Sequence, residues 1–268
     1  MKASIVCLLF AISTNTSMGQ SWALLKKVEH ANIDHIEFDQ LGNIYIADFH
    51  GTVSKYDAMG NLILEYAPVQ FAKIHDMSAG TQLKVYLFYD NLQELVILDR
   101  YLSSPVKYRL TDYDVGYVEE ITLNIQPSIW VLDVSNFSLK LIDLSNNRVL
   151  EKKTLARILD EQQADIQSFH THQNRLYLID KITGIQVFDN IGNHLYGLPV
   201  LGLSDVGFTK DYLYYAQDGF IKFIHLYKTL NKTIALPVVS TGKIRFSGNR
   251  LLVSTDNGFD IYKYLSAE

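Results

Sequence analysis

Six short segments of this chain are versions of one strand, and their spacing constrains the fold more than any other feature. They are Gly42-Asn-Ile-Tyr-Ile-Ala-Asp48, Leu83-Lys-Val-Tyr-Leu-Phe-Tyr-Asp90, Ser128-Ile-Trp-Val-Leu-Asp133, Arg175-Leu-Tyr-Leu-Ile-Asp180, Tyr212-Leu-Tyr-Tyr-Ala-Gln-Asp218 and Arg250-Leu-Leu-Val-Ser-Thr-Asp256. Each is a β-branched, aromatic or leucine run ending at an aspartate. Tyr45, Tyr86, Trp130, Tyr177, Tyr214 and Leu252 hold the same place in each, 41, 44, 47, 37 and 38 residues apart. A β-unit repeating at roughly 40 residues cannot bury its apolar face alone, and such units stack as four-stranded propeller blades.

The flanking residues complete the unit. In the first blade, apolar runs at 33–38, 44–47, 52–56 and 62–66 are separated by turns rich in Asp, Gly and Asn, which tolerate positive φ. The fourth blade repeats this through Gly184, Asp189 and Gly192-Asn193. The last blade lacks its outer strand, leaving an open edge that is costly to expose. The strand-like run 22–28 has no blade of its own, so it is expected to become the outermost strand of blade six. The fold class is therefore all-β: a six-bladed β-propeller of four-stranded antiparallel blades, closed by the N-terminal strand.

Gly42-Asn-Ile-Tyr-Ile-Ala-Asp48, followed by Val53-Ser-Lys-Tyr-Asp57 and Gly60-Asn61, resembles the NHL repeat. More broadly the chain is similar to the TolB-like six-bladed propellers. The resemblance is close in blades one and four, partial in three, and weak in two, five and six. It implies a six-bladed propeller and leaves the activity open, because propellers of this kind include binding modules, lactonases and lyases.

Lys2, the apolar run 5–12 and the small residues around Ser17-Met18-Gly19 predict an export leader over residues 1–19 and one mature domain over 20–268. That run is too short to span a bilayer, and no later apolar run approaches the required length, so no membrane insertion is expected. The single cysteine, Cys7, falls in the leader, so the mature chain is expected to use neither disulfides nor thiolate chemistry. A disulfide-free exported chain of this size suits a bacterial envelope: periplasmic, outer-membrane-associated or secreted. Without Lys2 the chain carries 23 basic against 29 acidic residues, which argues against nucleic acid as a partner.

Candidate sites follow from the repeat. The six aspartates closing the second strands are read as turn formers that accept backbone N–H groups. The starts of the innermost strands ring the channel mouth and supply Asp34-His35, His75-Asp76, Glu119-Glu120, Asp165, Ser204-Asp205 and Gly242-Lys243. From these, Asp34, His35, His75, Glu119, Asp165 and Asp205 are candidate ligand-binding residues. No cofactor is required, although converging carboxylates there suit Ca²⁺ or another divalent ion.

His170-Thr171-His172 places two imidazoles on one strand face. Tyr108, Tyr113 and Tyr117, around the linker after blade two, are candidate partner contacts, since tyrosine offers large area at low entropy cost. Leu155, Ile158 and Leu159 predict a short helix within 152–163. No Gly-x-Ser-x-Gly, His-Glu-x-x-His or phosphate-binding glycine loop occurs, so no catalytic residue is assigned. The favoured expectation is a non-catalytic platform for an envelope or exported protein. A metal-dependent lactonase-like hydrolase and a glycan-binding module remain the alternatives.

Overall fold

The computed structural model describes residues 21–80, 84–124, 127–238 and 242–265. The leader reading of residues 1–19 lies outside the described residues. Six four-stranded antiparallel sheets stand in a ring, five of them running outward from the axis in chain order and the sixth ending on the N-terminal strand. The innermost strands are Ile33–Phe38, Asp76–Ser78, Val118–Leu123, Ile166–His172, Gly207–Thr209 and Ile244–Ser247. Blade six is completed as the sequence requires. Ser21–Glu29 pairs with Gly258–Leu265, from Ser21 opposite Leu265 to Glu29 opposite Gly258, removing the open edge.

The core lies between blades rather than within them. One apolar cluster fills each junction, such as Trp130, Leu132, Phe169 and Leu176 between blades three and four. Ile36, Ile46, Leu252 and Phe259 fill the junction that closes the ring. The anchor side chains belong to these clusters: Trp130 and Tyr177 are fully buried and Tyr45 nearly so. Each such side chain contributes roughly 1.5–3 kcal/mol of transfer free energy, so the repeat is also the main source of stability.

Blades one, three and four share an irregularity that the others lack. Their inner strands are six or seven residues long and carry a bulge at the start, between Ile33 and His35, Val118 and Glu120, and Ile166 and Ser168. In blades two, five and six the inner strand has only three or four residues and pairs without interruption. A bulge puts one extra residue on one side of the ladder and re-aims what precedes it.

Two sequence expectations are corrected by packing. Residues 152–154 extend the strand Arg148–Thr154, and two successive turns replace the expected helix. The first closes on the Leu155 carbonyl, which accepts from Ile158 N at 2.8 Å and Leu159 N at 2.9 Å, and Asp160 opens the second. Leu155 and Leu159 thereby reach the blade three–four core with one turn, and the Asp160 carboxylate ends the run by accepting from Gln162 N at 3.0 Å.

The second correction concerns the tyrosines. Tyr113 is buried and Tyr108 half-buried, both against the blade two–three cluster, because the turn Leu110–Asp112 folds the linker back over that junction. Tyr117 alone of the three is exposed.

The closing aspartates divide. Asp48 Oδ1 accepts from His50 N at 2.8 Å and Thr52 N at 2.9 Å, and Asp180 Oδ2 accepts from Thr183 N at 2.8 Å, as expected of turn formers. Asp133 does the same with Asn136 N and is also buried against Lys140 Nζ at 2.8 Å. Asp90 departs from the pattern: its Oδ2 lies 3.6 Å from His75 Nδ1 and 3.5 Å from the Tyr117 hydroxyl. The more regular turn aspartates are at the opposite end of the ring, where Asp57, Asp99, Asp143 and Asp189 each accept two backbone N–H groups.

Candidate functional site at the channel mouth

In an antiparallel blade, the start of the innermost strand, the second-to-third-strand turn and the linker to the next blade share one end. That end is the channel mouth. Opposite the six anchors stand Glu37, Ser78, Thr122, His170, Gly207 and Arg245, one from each inner strand. Two residues nearer the mouth come His35, Asp76, Glu120, Ser168, Asp205 and Lys243. Because side chains alternate with period two, these residues form two tiers along the axis, while Ile36, Met77, Ile121, Phe169 and Phe246 turn into the core.

One half of this wall is internally paired. Arg245 Nε lies 2.6 Å from Glu37 Oε1, and its terminal nitrogen lies 2.6 Å from Asp205 Oδ2, so one guanidinium joins blades five, six and one. Asp205 Oδ1 also meets His170 Nε2 of blade four at 3.3 Å. Burial pushes the Asp205 carboxyl up, but Arg245 and His170 outweigh it and hold it well below the usual carboxylate range. Burial likewise disfavours charge on His170, and Asp205 overcomes this, raising the imidazole. Gly207 supports the same arrangement. A Cβ there would lie 2.2 Å from the Tyr214 ring, whose hydroxyl crosses to blade six and accepts from Phe246 N at 2.7 Å.

The other half is thinly paired. Glu120 is buried, and its one strong contact is His75 Nε2 at 3.0 Å. Burial pushes its carboxyl up to about 7, an effect that the His75 contact only partly offsets. His75 is raised in turn, first through that hydrogen bond, and Asp90 flanks its other nitrogen. Asp76 is also raised by burial, with the more distant imidazoles of His170 and His75 and the Met77 N–H acting against it. On the rim, burial pushes His35 down to about 3, and nearby Lys243 adds to the shift. Asp34 Oδ2 is buried without a hydrogen-bond donor, with the Lys73 ammonium and the uncharged His35 imidazole each 3.6 Å away.

The structure therefore brings His35, His75 and Asp205 of the sequence-derived candidates into the wall, with Asp34 at its rim. Glu119 and Asp165 stay outside it. Glu119 is the extra residue of its bulge and is half-exposed, so Glu120 takes the inward place. Asp165 precedes the bulge of blade four, is exposed, and pairs with Lys181 at 3.7 Å. Sequence reasoning missed Glu37, His170 as a wall residue, and Arg245. The available signal was a lone charge alternating with core residues, as in Ile36-Glu37-Phe38 and Ile244-Arg245-Phe246.

Among the described residues, no three His, Asp or Glu side chains converge on a point that a cation could occupy. The channel-mouth carboxylates that would suit a divalent ion therefore do not converge among the described residues. His170 and His172 instead pack on Phe208, with His172 stacked at 4.7 Å.

The outer surface of the mouth also differs from the opposite end. Counting Asp and Glu against Lys and Arg in the segments between strands gives nine against four at the mouth and three against three at the far end. Val69 and Phe71, the two most exposed large apolar residues of the described chain at 107% and 77%, lie in the mouth linker between blades one and two. Phe49 is exposed beside them, and the adjacent His50 ring stands edge-on to Phe71 with centroids 6.1 Å apart. Lys73 Nζ sits 5.8 Å from the Phe49 ring centroid.

No family profile and no curated protein matches this sequence. Solved structures match the fold. The WD40 domain of Pan2 from Neurospora crassa superposes with a TM-score of 0.63 at 10% identity, over 93% of this chain and 97% of that one. A catalytically inactive virginiamycin B lyase from Staphylococcus aureus, with quinupristin, gives 0.61 at 12% identity, over 92% and 100%. BamB from Moraxella catarrhalis gives 0.50 at 11% identity, over 87% and 83%. At these identities the likeness is one of architecture: the chain is a six-bladed β-propeller. No helix of the described residues is long and apolar enough to cross a membrane.

Proposed function

We propose that this protein is an exported, envelope-associated binding propeller that docks a protein partner on its channel-mouth end. One observation carries the reading: the exposed patch of Phe49, Val69 and Phe71 beside a charged wall whose blade two–three half is left thinly paired. An apolar patch next to underused polar groups is the composition of a recognition surface, with aromatic anchors inside a polar rim. The leader-like segment supports export, and a rigid ring closed by its first strand suits a platform. The fold is shared with a WD40 domain and with BamB, which is consistent with docking.

The test is site-specific photo-crosslinking in the native cell. A photoreactive residue at Phe71 is expected to trap a defined protein partner, while one at the similarly exposed Leu41 on the far end traps none. Cell fractionation of the same strain checks the compartment. Trapping at Leu41 but not at Phe71 would refute the assignment of the mouth.

A further inference from the structure

We infer that the mouth receives a basic, amphipathic polypeptide segment, whose apolar side chains lie on Phe49, Val69 and Phe71 and whose lysine or arginine reaches Asp34 and the blade two–three carboxylates. This rests on the docking function proposed above and adds the chemistry of the partner.

Three independent features converge on that chemistry. The first is charge: the mouth segments carry nine acids against four bases, whereas the far end is balanced. Complementary charge sets orientation and partner choice more than raw affinity, so the sign of this excess specifies a cationic partner.

The second is the position of the unsatisfied acceptor. Asp34 has a side chain only 10% exposed, and its Oδ2 receives no hydrogen bond. Lys73, 3.6 Å from that oxygen, also lies beside the Phe49 ring, which places Asp34 at the inner margin of the apolar patch. A buried carboxylate oxygen without a donor is costly, and a donor arriving from a bound segment removes that cost.

The third is the distribution of cations within the wall. Arg245 is committed to Glu37 and Asp205, and His170 to Asp205. Glu120 has the His75 imidazole at 3.0 Å, and Asp76 has the Met77 N–H with two imidazoles and Lys243 acting from farther off, so neither has a close ammonium or guanidinium partner. A single ammonium or guanidinium group entering from the patch side supplies what these two carboxylates lack. An acidic segment would meet the same groups as like charges.

Three labelled hexapeptides test the inference on the purified propeller: alternating lysine and leucine, alternating glutamate and leucine, and alternating lysine and serine. The lysine–leucine peptide is expected to bind best by fluorescence anisotropy. Its affinity should fall about tenfold between low and physiological salt, as screening weakens the charge contribution. Phe71→Ser and Asp34→Asn should each weaken it about tenfold, the size of one lost interface contact. Leu41→Ser at the far end should leave it unchanged.

Equal or tighter binding of the glutamate–leucine peptide overturns the inference, as does lysine–leucine binding that ignores Phe71→Ser. Equal binding of the lysine–serine peptide removes the apolar half of the inference and overturns it as stated. Phe71 is exposed, so its variant keeps the fold even if Asp34→Asn loses it. Cross-linking separates the two levels: no partner at position 71 defeats the docking function, whereas a trapped acidic segment defeats only the charge assignment.

Discussion

The two halves of the channel wall are built from the same tier positions and behave differently. Across blades four, five, six and one, a guanidinium and an imidazole absorb the carboxylates of Glu37 and Asp205. Across blades two and three, Asp76 and Glu120 are desolvated with little to balance them. Both halves are held by the same packed blades, so the difference is not one of fold. The paired half acts as a staple between blades that sequence places far apart, and the thinly paired half holds its carboxylates without a close ammonium or guanidinium. Breaking each half should therefore produce different kinds of damage.

The largest effect is expected in the staple. Arg245→Met leaves Glu37 without its counter-charge and Asp205 with His170 alone, and because the three side chains are 15–32% exposed the cost should be about 2–3 kcal/mol, below that of breaking a fully buried pair. Urea unfolding should show that loss at neutral pH. Adding Asp205→Asn should recover part of it, because the two sites share one network. A loss under about 1 kcal/mol for the single variant would mean that solvent already screens the pair.

Glu120 should show the opposite sign. Its carboxyl titrates higher in the folded chain than in the unfolded one, so its contribution is full below the ordinary glutamate range and lost as pH rises through about 7. His35, pushed down to about 3, works against this, since its contribution falls away as pH drops below the ordinary histidine value. Between about pH 5 and 7 these two slopes oppose in the wild type, while the raised His75 and His170 add to the Glu120 slope. Glu120→Gln removes one slope, and its stability relative to wild type should rise by about 2 kcal/mol over that window. Parallel pH profiles for the two proteins would contradict the burial ascribed to Glu120.

What sequence made legible, and what it did not, follows the same division. The anchors, the turns and the closure by 22–28 depend on local pattern and on counting strands, so six blades could be derived before any contact was known. The wall depends on parity near the mouth, and parity was disturbed by single-residue bulges in blades one, three and four. That is why Glu119 was chosen over Glu120. Arg245 was missed for a different reason: its partners lie 208 and 40 residues away, and only the closed ring brings them together. Tyr113 was misread because the linker folds back onto a blade junction, where its ring is worth more buried than exposed. The blades that most resemble one repeat, one and four, also share the bulge, whereas blade two departs from both.

At the far end, the turn aspartates give a measure of purely structural damage. Asp189 Oδ1 accepts from Ile191 N at 3.0 Å and Asn193 N at 2.8 Å. Asp189→Ala should cost about 1 kcal/mol, the net worth of such hydrogen bonds at a solvated turn. It should have no effect on peptide binding at the mouth. A binding defect in this variant would show that the two ends are coupled through blade four.

The smallest effect on stability is expected at a position whose loss weakens binding about tenfold. Phe71 is 77% exposed and its ring packs edge-on against His50, itself exposed, so Phe71→Ser removes almost no buried area. Its unfolding free energy should stay within about 0.5 kcal/mol of wild type, as for other surface substitutions. If the patch were instead part of the blade one–two core, the substitution would cost several times that amount through lost transfer free energy. A variant that unfolds like wild type and fails to capture the lysine–leucine peptide separates recognition from folding at this end of the ring. One that loses both would return Phe71 to the core and leave the acidic mouth without its apolar platform.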